Sequence, residues 1–427
     1  MSVPTHNLYD FVHQATKKQF FLMYFYPWGQ RELENVIHYQ SSDHHFNGPN
    51  GIPPTNRQVL PTISPDSIDY RLAARIQPTI LCHDQEPLWF DQYCKDSSYT
   101  QTYCDQYYNK FGLKISPYHQ TQNLRIAFPE SLQKVWVLLH SELNSIELAK
   151  YESTGLFVGA YWWSHAMIAR DWYRFAEYDT SLQFNDSYDK LFLVYCRDIT
   201  GWRSYRKEFL KSLDTLNINR HCQFHSFHKT PVGPDASAIY DSDDINRTGI
   251  SIVLETVVDD RIHLTEKILR PIACSHPFMV AAGPGSLKLL RKYGFKTFSP
   301  FIDESYDEIQ DKDKRLLSIA NEMKRLSELP EDEIRYILNQ CQLIAKHNKT
   351  HFFSTKFYNI ITTELNANVF DAHSRYQGQL DYNSWWQGRR WHHANQHHQF
   401  KKFEIEYNPG PSLVPVYRTI RSNTWQE

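Results

Sequence analysis

The stretch from Ile250 to Asp307 constrains the fold most. Ile252-Val253-Leu254 is a short unbroken apolar run that ends on Glu255-Thr256, and Thr265-Glu266-Lys267 then opens a helix. Pro277 to Ala282 is a second apolar run, which passes through Gly283-Pro284-Gly285-Ser286 into another helix, Ser286 to Tyr293. Ser286 suits the N-cap of that helix and Gly294 its C′ position. Strands joined through helices in this way lie parallel, so both runs end at one edge of the sheet. Open α/β folds bind their ligands at that edge.

The same alternation runs through the rest of the chain. Gln19 to Tyr26, Pro78 to Cys82, Lys134 to Leu139 and Gly155 to Trp163 are apolar runs closing on polar residues, with helical stretches at Arg31 to Tyr39 and Asn144 to Tyr151. Further on, Lys190 to Tyr195 and His221 to Phe227 read as strands, and Ser204 to Leu213 as a basic amphipathic helix. Asp313 to Leu326 and Glu331 to Lys346 are longer amphipathic helices. Short apolar strands alternating with helices predict parallel sheets covered on both faces. A polar stretch between Ala176 and Lys190 marks a boundary. The expectation is an α/β protein of two Rossmann-like lobes facing a cleft, with residues 1–182 forming the first lobe, 183–365 the second and 366–427 a tail that packs back on them.

At 427 residues the chain is long enough for two domains. Its formal charge of -2 excludes a polycation, so any polyanionic partner must meet a local patch. Seven scattered cysteines form no close CxxC pair, which argues against a zinc ribbon, a redox motif or a disulfide framework. Met1 to Thr16 lacks the order of a secretory signal, and the apolar run Phe20 to Trp28 is too short to span a bilayer. A cytoplasmic protein with no membrane partner is expected.

The strand ends carry the chemistry. Lys267, in the first turn of its helix, is placed to meet an anion beside the helix-start amides. Arg197, Arg203 and Arg206 follow the strand Lys190 to Tyr195, and Gly283, Gly285 and Ser286 form a turn whose backbone a ligand can approach. In the first half, Asp84 and Glu86 follow one strand, Glu142 another and His165 a third. Each of these four is a candidate general base, with Asp84 preferred. Ala169-Arg170-Asp171-Trp172-Tyr173-Arg174 reads as an internally salt-bridged helix, or else as a contact for a second substrate. His393 and His397 fall one helical turn apart without a carboxylate or cysteine to complete a metal set, so no metal is expected. Asp303-Glu304 with Asp307 reads as a helix start rather than a metal cluster.

Glu255, Thr265-Glu266-Lys267, Pro277 to Ala282 and Gly283, taken in order, resemble the donor-binding half of the α1,3-fucosyltransferase family over roughly Leu191 to Ile309. Thr256 stands where that family has Asn, and Pro271 falls within the expected helix. The resemblance implies the two-lobed GT-B fold and an inverting transfer of a sugar from a nucleotide-diphosphate donor, a UDP- or GDP-sugar, with no tightly bound cofactor. It also implies that Glu255 accepts hydrogen bonds from the ribose and that Thr265 and Glu266 belong to the donor site. Without a metal, Lys267 and the arginines are the cations for the diphosphate, with Arg203 and Arg206 alternatively forming the wet face of their helix.

In the first half, His83-Asp84-Gln85-Glu86-Pro87 and Trp163-Ser164-His165 resemble predicted glycosyltransferases of tailed phages, for which the location would be the host cytoplasm. The tail interleaves Trp385, Trp386 and Trp391 with Arg389, Arg390, Lys401 and Lys402, a mixture that can grip phosphates and stack on bases. The acceptor expected by this analogy is a hydroxymethylated pyrimidine in DNA, with a glycan or a small hydroxyl compound as the other option. A sugar-nucleotide epimerase or hydrolase of the same fold and a non-enzymatic DNA-binding protein are the alternatives.

Overall fold

The computed structural model describes residues 135–153, 158–183, 188–196, 198–225 and 240–377, with residues 15, 87 and 88 and the strands at 20–25, 79–84, 404–408 and 416–421. The first part holds β1 (Phe20–Phe25), β2 (Thr79–Asp84), β3 (Val135–His140), α1 (Ile146–Ser153), β4 (Val158–Tyr161) and α2 (Ser164–Trp172). The second holds β5 (Lys190–Tyr195), α3 (Tyr205–Thr215), β6 (Cys222–His225), α4 (Ser242–Asn246), β7 (Thr248–Leu254), α5 (Glu266–Ala273), β8 (Phe278–Ala281) and α6 (Ser286–Lys292). Then follow α7 (Lys312–Ser327), α8 (Glu331–Phe353), α9 (Thr355–Gln377) and the strands β9 (Glu404–Asn408) and β10 (Val416–Arg421), which pair antiparallel. The helix expected at Arg31 to Tyr39 lies outside the described residues.

The protein is α/β, built on two parallel four-stranded sheets. One runs β1-β2-β3-β4 and the other β6-β5-β7-β8. The second order contains a reversal. From β5 the chain crosses to β6 on one side, and from β7 to β8 on the other, so neighbouring β5 and β7 form a topological switch point. All seven residues of β7 are buried, as a central parallel strand covered on both faces requires. Each fully buried Ile or Leu there contributes roughly 1.5–3 kcal/mol.

Two features depart from the sequence reading. Helix α9 continues past Leu365 to Gln377, and it packs against β3 and β4 of the first sheet. Asn368 donates to the Tyr161 carbonyl at 2.7 Å and Arg375 to the Gly159 carbonyl at 2.8 Å, so a helix late in the chain covers the first sheet. The second departure is at α6. Its N-cap is Gly285, at a left-handed φ of 82°, and Ser286 is already helical, donating from Oγ to the Gly283 carbonyl at 2.6 Å. Gly294 does adopt the left-handed conformation expected of C′, with φ 92°.

Arg170 is buried and donates to the Phe352 and Phe353 carbonyls, satisfying the carboxyl end of α8. Arg174 pairs with Asp171 at 3.1 Å. That helix therefore follows the salt-bridged reading. Among the described residues no helix is long and apolar enough to cross a membrane.

Candidate functional site

The segments that leave the carboxyl ends of the two sheets meet one another. Leu143, beyond β3, forms an antiparallel bridge with Ile262, which lies between β7 and α5; the Leu143 amide donates to the Ile262 carbonyl at 2.9 Å and the Leu143 carbonyl accepts from the Ile262 amide at 3.1 Å. On one side of this bridge Arg261 reaches Glu142 at 3.4 Å, and on the other His263 Nε2 meets Ser141 Oγ at 3.0 Å. Helix α5 packs against α2. Across that contact His165 Nδ1 lies 3.4 Å from Glu266 Oε2, and the His165 and His263 rings stand edge to face at 5.2 Å.

The loop between β7 and α5 is rigidly held, which explains how it presents these groups. Glu255 is fully buried and accepts from the Thr265 amide at 3.0 Å and the Thr265 hydroxyl at 2.6 Å. Thr265 in turn caps α5, accepting from the Lys267 amide at 3.3 Å. One acid at the end of β7 thus fixes the first turn that carries Glu266 and Lys267. Lys267 Nζ contacts Glu266 Oε1 at 2.8 Å and Thr265 Oγ1 at 3.2 Å; with its side chain 27% exposed, it is the member of the group open to water.

The charges follow from burial and neighbours. Burial by itself would raise the Glu266 carboxyl, yet the Lys267 ammonium and the His165 ring hold it well below the usual carboxylate range. Burial keeps His263 neutral, well below the ordinary imidazole value, with His165, Lys267 and Arg261 adding to the effect. Burial also pushes His83 down to about 3, with His165 close by, and His140 down to about 4. Glu142 moves the other way, up to about 7, because burial outweighs the pull of Arg261. An ionised carboxylate shared by an imidazole and an ammonium can orient the ring and balance its charge when it takes a proton.

The sequence-predicted residues divide between this junction and other tasks. His165, Thr265, Glu266, Lys267, Glu142 and Glu255 come together. Glu142 is already engaged, however, accepting from the Leu88 amide at 2.7 Å as well as facing Arg261, so it is a poor base. Asp84 is the last residue of β2, at the same sheet edge, while Glu86 and Arg197 lie outside the described residues, as do Arg389, Arg390, Lys401 and Lys402.

Arg206 is a correction. Instead of facing a diphosphate it is buried, donating to the carbonyls of Asp198 at 2.9 Å, Leu254 at 2.8 Å and Glu255 at 3.0 Å. It ties the ends of β5 and β7 together at the switch point. Arg203 pairs with Asp198 at 3.1 Å and stays partly exposed.

The glycine turn is a second correction. A Cβ on Gly283 would meet the Arg261 carbonyl oxygen at 1.8 Å, so this glycine admits the β7–α5 loop, not a ligand. The amides of Leu287 and Lys288, which open α6, are occupied by the Asp307 carboxylate at 2.9 and 3.1 Å. Gly285 and Ser286 are therefore part of a closed helix start.

Sequence reasoning passed over His83, Ser141, Arg261 and His263. The signal was present in Asp259-Asp260-Arg261-Ile262-His263, polar residues alternating with an apolar one just before the helix. Ser141, Arg261 and His263 meet partners more than a hundred residues away, and His83 lies near His165, contacts that no local pattern reveals.

Among the described residues no group of three or more His, Cys, Asp or Glu is arranged to hold a metal ion. Comparisons with protein-family models, with curated proteins and with solved structures returned no match.

Proposed function

We propose that the protein is a glycosyltransferase of the two-lobed GT-B kind, taking a sugar from a UDP- or GDP-sugar to an acceptor hydroxyl. The observation that carries this reading is the convergence of the carboxyl edges of two parallel sheets on His165, Glu266 and Lys267. Ligands of open α/β sheets bind at such edges, and a reaction with two substrates suits a site built from two sheets.

In the proposed reaction the acceptor oxygen bonds to the anomeric carbon of the sugar. The bond from that carbon to the diphosphate breaks, and its electron pair leaves on the diphosphate oxygen. His165 takes the hydroxyl proton, and Glu266, already ionised, balances the imidazolium that forms. Lys267, the exposed cation, meets the negative charge that grows on the leaving group. Glu255 acts through Thr265 by fixing the turn that holds both residues.

The first test is a thermal-shift screen of UDP, GDP and their sugars, in which the bound nucleotide stabilises the fold. Lys267→Ala should then weaken diphosphate binding by about 1–2 kcal/mol, the loss of one charge-assisted contact. His165→Asn should lower kcat by on the order of 100-fold or more and leave donor binding intact. If Asp84→Asn abolishes transfer and His165→Asn does not, the base is Asp84. A nucleotide screen with no stabilising ligand would remove the reading altogether.

A further inference from the structure

We propose that Glu364 is a positioning residue, which sets the start of α2, and with it His165, against Glu266. The inference rests on the reading of His165 and Glu266 as the proton-transfer pair. Glu364 lies on α9, far along the chain from α2, and touches neither member of the pair.

The start of α2 lacks a cap of its own, because the N-cap residue Trp163 makes no side-chain capping bond. Glu364 supplies an acceptor from across the fold, with Oε2 accepting from the Trp163 amide at 3.1 Å. Its other oxygen accepts from the Tyr293 hydroxyl at 2.5 Å, and that hydroxyl lies 3.1 Å from the hydroxyl of Tyr161, the last residue of β4. Trp163 completes the joint. Its indole N–H donates to the Leu264 carbonyl at 2.8 Å, and its ring lies 4.5 Å from that of Tyr293.

Two residues beyond Trp163 stands His165, and two residues beyond Leu264 stands Glu266. The Trp163–Leu264 bond therefore sets the distance between the two partners, and Glu364 holds Trp163 in the position where it can form. Burial raises the Glu364 carboxyl while the bonds from Tyr293 and Trp163 pull it back, as expected of a group enclosed by its donors. An error of an ångström in such a pair is enough to slow a proton transfer, although nothing at the reacting atoms has changed.

The test uses the full chain carrying Glu364→Ala or Glu364→Gln, with transfer kinetics from the nucleotide sugar that the thermal screen selects. In E364A, kcat falls on the order of 10- to 100-fold while the donor KM stays within about twofold. E364Q keeps a carbonyl for the Trp163 amide and recovers most of the rate. A fall in melting temperature with kcat unchanged would overturn the proposal and leave Glu364 a structural residue.

A second readout does not depend on turnover. The ring-nitrogen resonances of His165, which report its contact with Glu266, move in E364A and return in E364Q. Should E364A fail to fold, Tyr293→Phe removes the hydroxyl from which Glu364 accepts and carries the same two readouts. If the parent protein transfers no sugar, the transferase reading fails by itself. Identical His165 ring resonances in parent and variant would separately refute the role of Glu364.

Discussion

His83, His140 and His276 are buried imidazoles pushed down by burial to about 3, 4 and 4. Their ordinary value in an unfolded chain is about 6.5, so below that pH the unfolded state binds protons that the folded state refuses. Their contribution to stability is present above pH ~6.5 and is lost as the pH falls through ~4, at about 1.4 kcal/mol per pH unit for each ring. Glu142 works in the opposite sense. Its carboxyl is raised to about 7, so its contribution is lost as the pH rises from ~4.5 through 7. Urea unfolding followed from pH 8 to 4 should show stability falling below pH ~6, more gently in His276→Gln. Parallel curves for the two proteins would contradict the assignment. His276 is a suitable probe because it is structural, with Nδ1 on Ser251 at 2.8 Å and Nε2 on the Thr248 carbonyl at 2.9 Å.

Glycines supply a second contrast at this scale. Gly283→Ala drives a Cβ into backbone oxygen and should cost about 3 kcal/mol or more, or prevent folding. Gly201, by contrast, has a positive φ, 54°, and nothing lies within 4 Å of its added Cβ, so Gly201→Ala should cost only about 1 kcal/mol. Thermal melts of the pair would separate close approach from backbone preference.

Among the elements, strands were the most legible in sequence. The run from Lys190 to Tyr195 became β5 without change, because an unbroken apolar run between polar residues leaves little choice of ends. Helix ends were harder to read. Ser286 looks like an N-cap, yet Gly285 takes that place because the Asp307 carboxylate already satisfies the first amides. A cap supplied by a residue twenty positions away leaves no local trace. Asp307→Ala should therefore destabilise the protein by about 1–2 kcal/mol, read as a shift in urea midpoint at constant slope. The site divided similarly. Thr265-Glu266-Lys267 stood out as a helix start, but its partner His165 comes from α2, beyond the other sheet, and only the fold brings them near.

For the whole molecule, α9 decides where the chain can be cut. Removing the residues after Leu365 would strip Asn368 and Arg375 from β4, along with the Arg375–Glu152 pair at 3.5 Å. Ending the chain after Gln377 keeps these contacts and removes the basic, aromatic segment. The longer product should stay folded and the shorter one unfold at markedly lower temperature, as circular dichroism melts would show. Binding of DNA by the intact chain, lost from the product ending at Gln377 and weakened steeply by salt, would support a nucleic-acid acceptor.

The Asn368 side-chain amide stands 207 positions along the chain from the Tyr161 carbonyl that it meets. On the ribosome, β3 and β4 emerge long before the helix that covers them. The first sheet must wait, with apolar surface open to water, while the second is made. Its completion is thereby tied to nearly finished synthesis, and that interval is when the nascent protein most needs a chaperone.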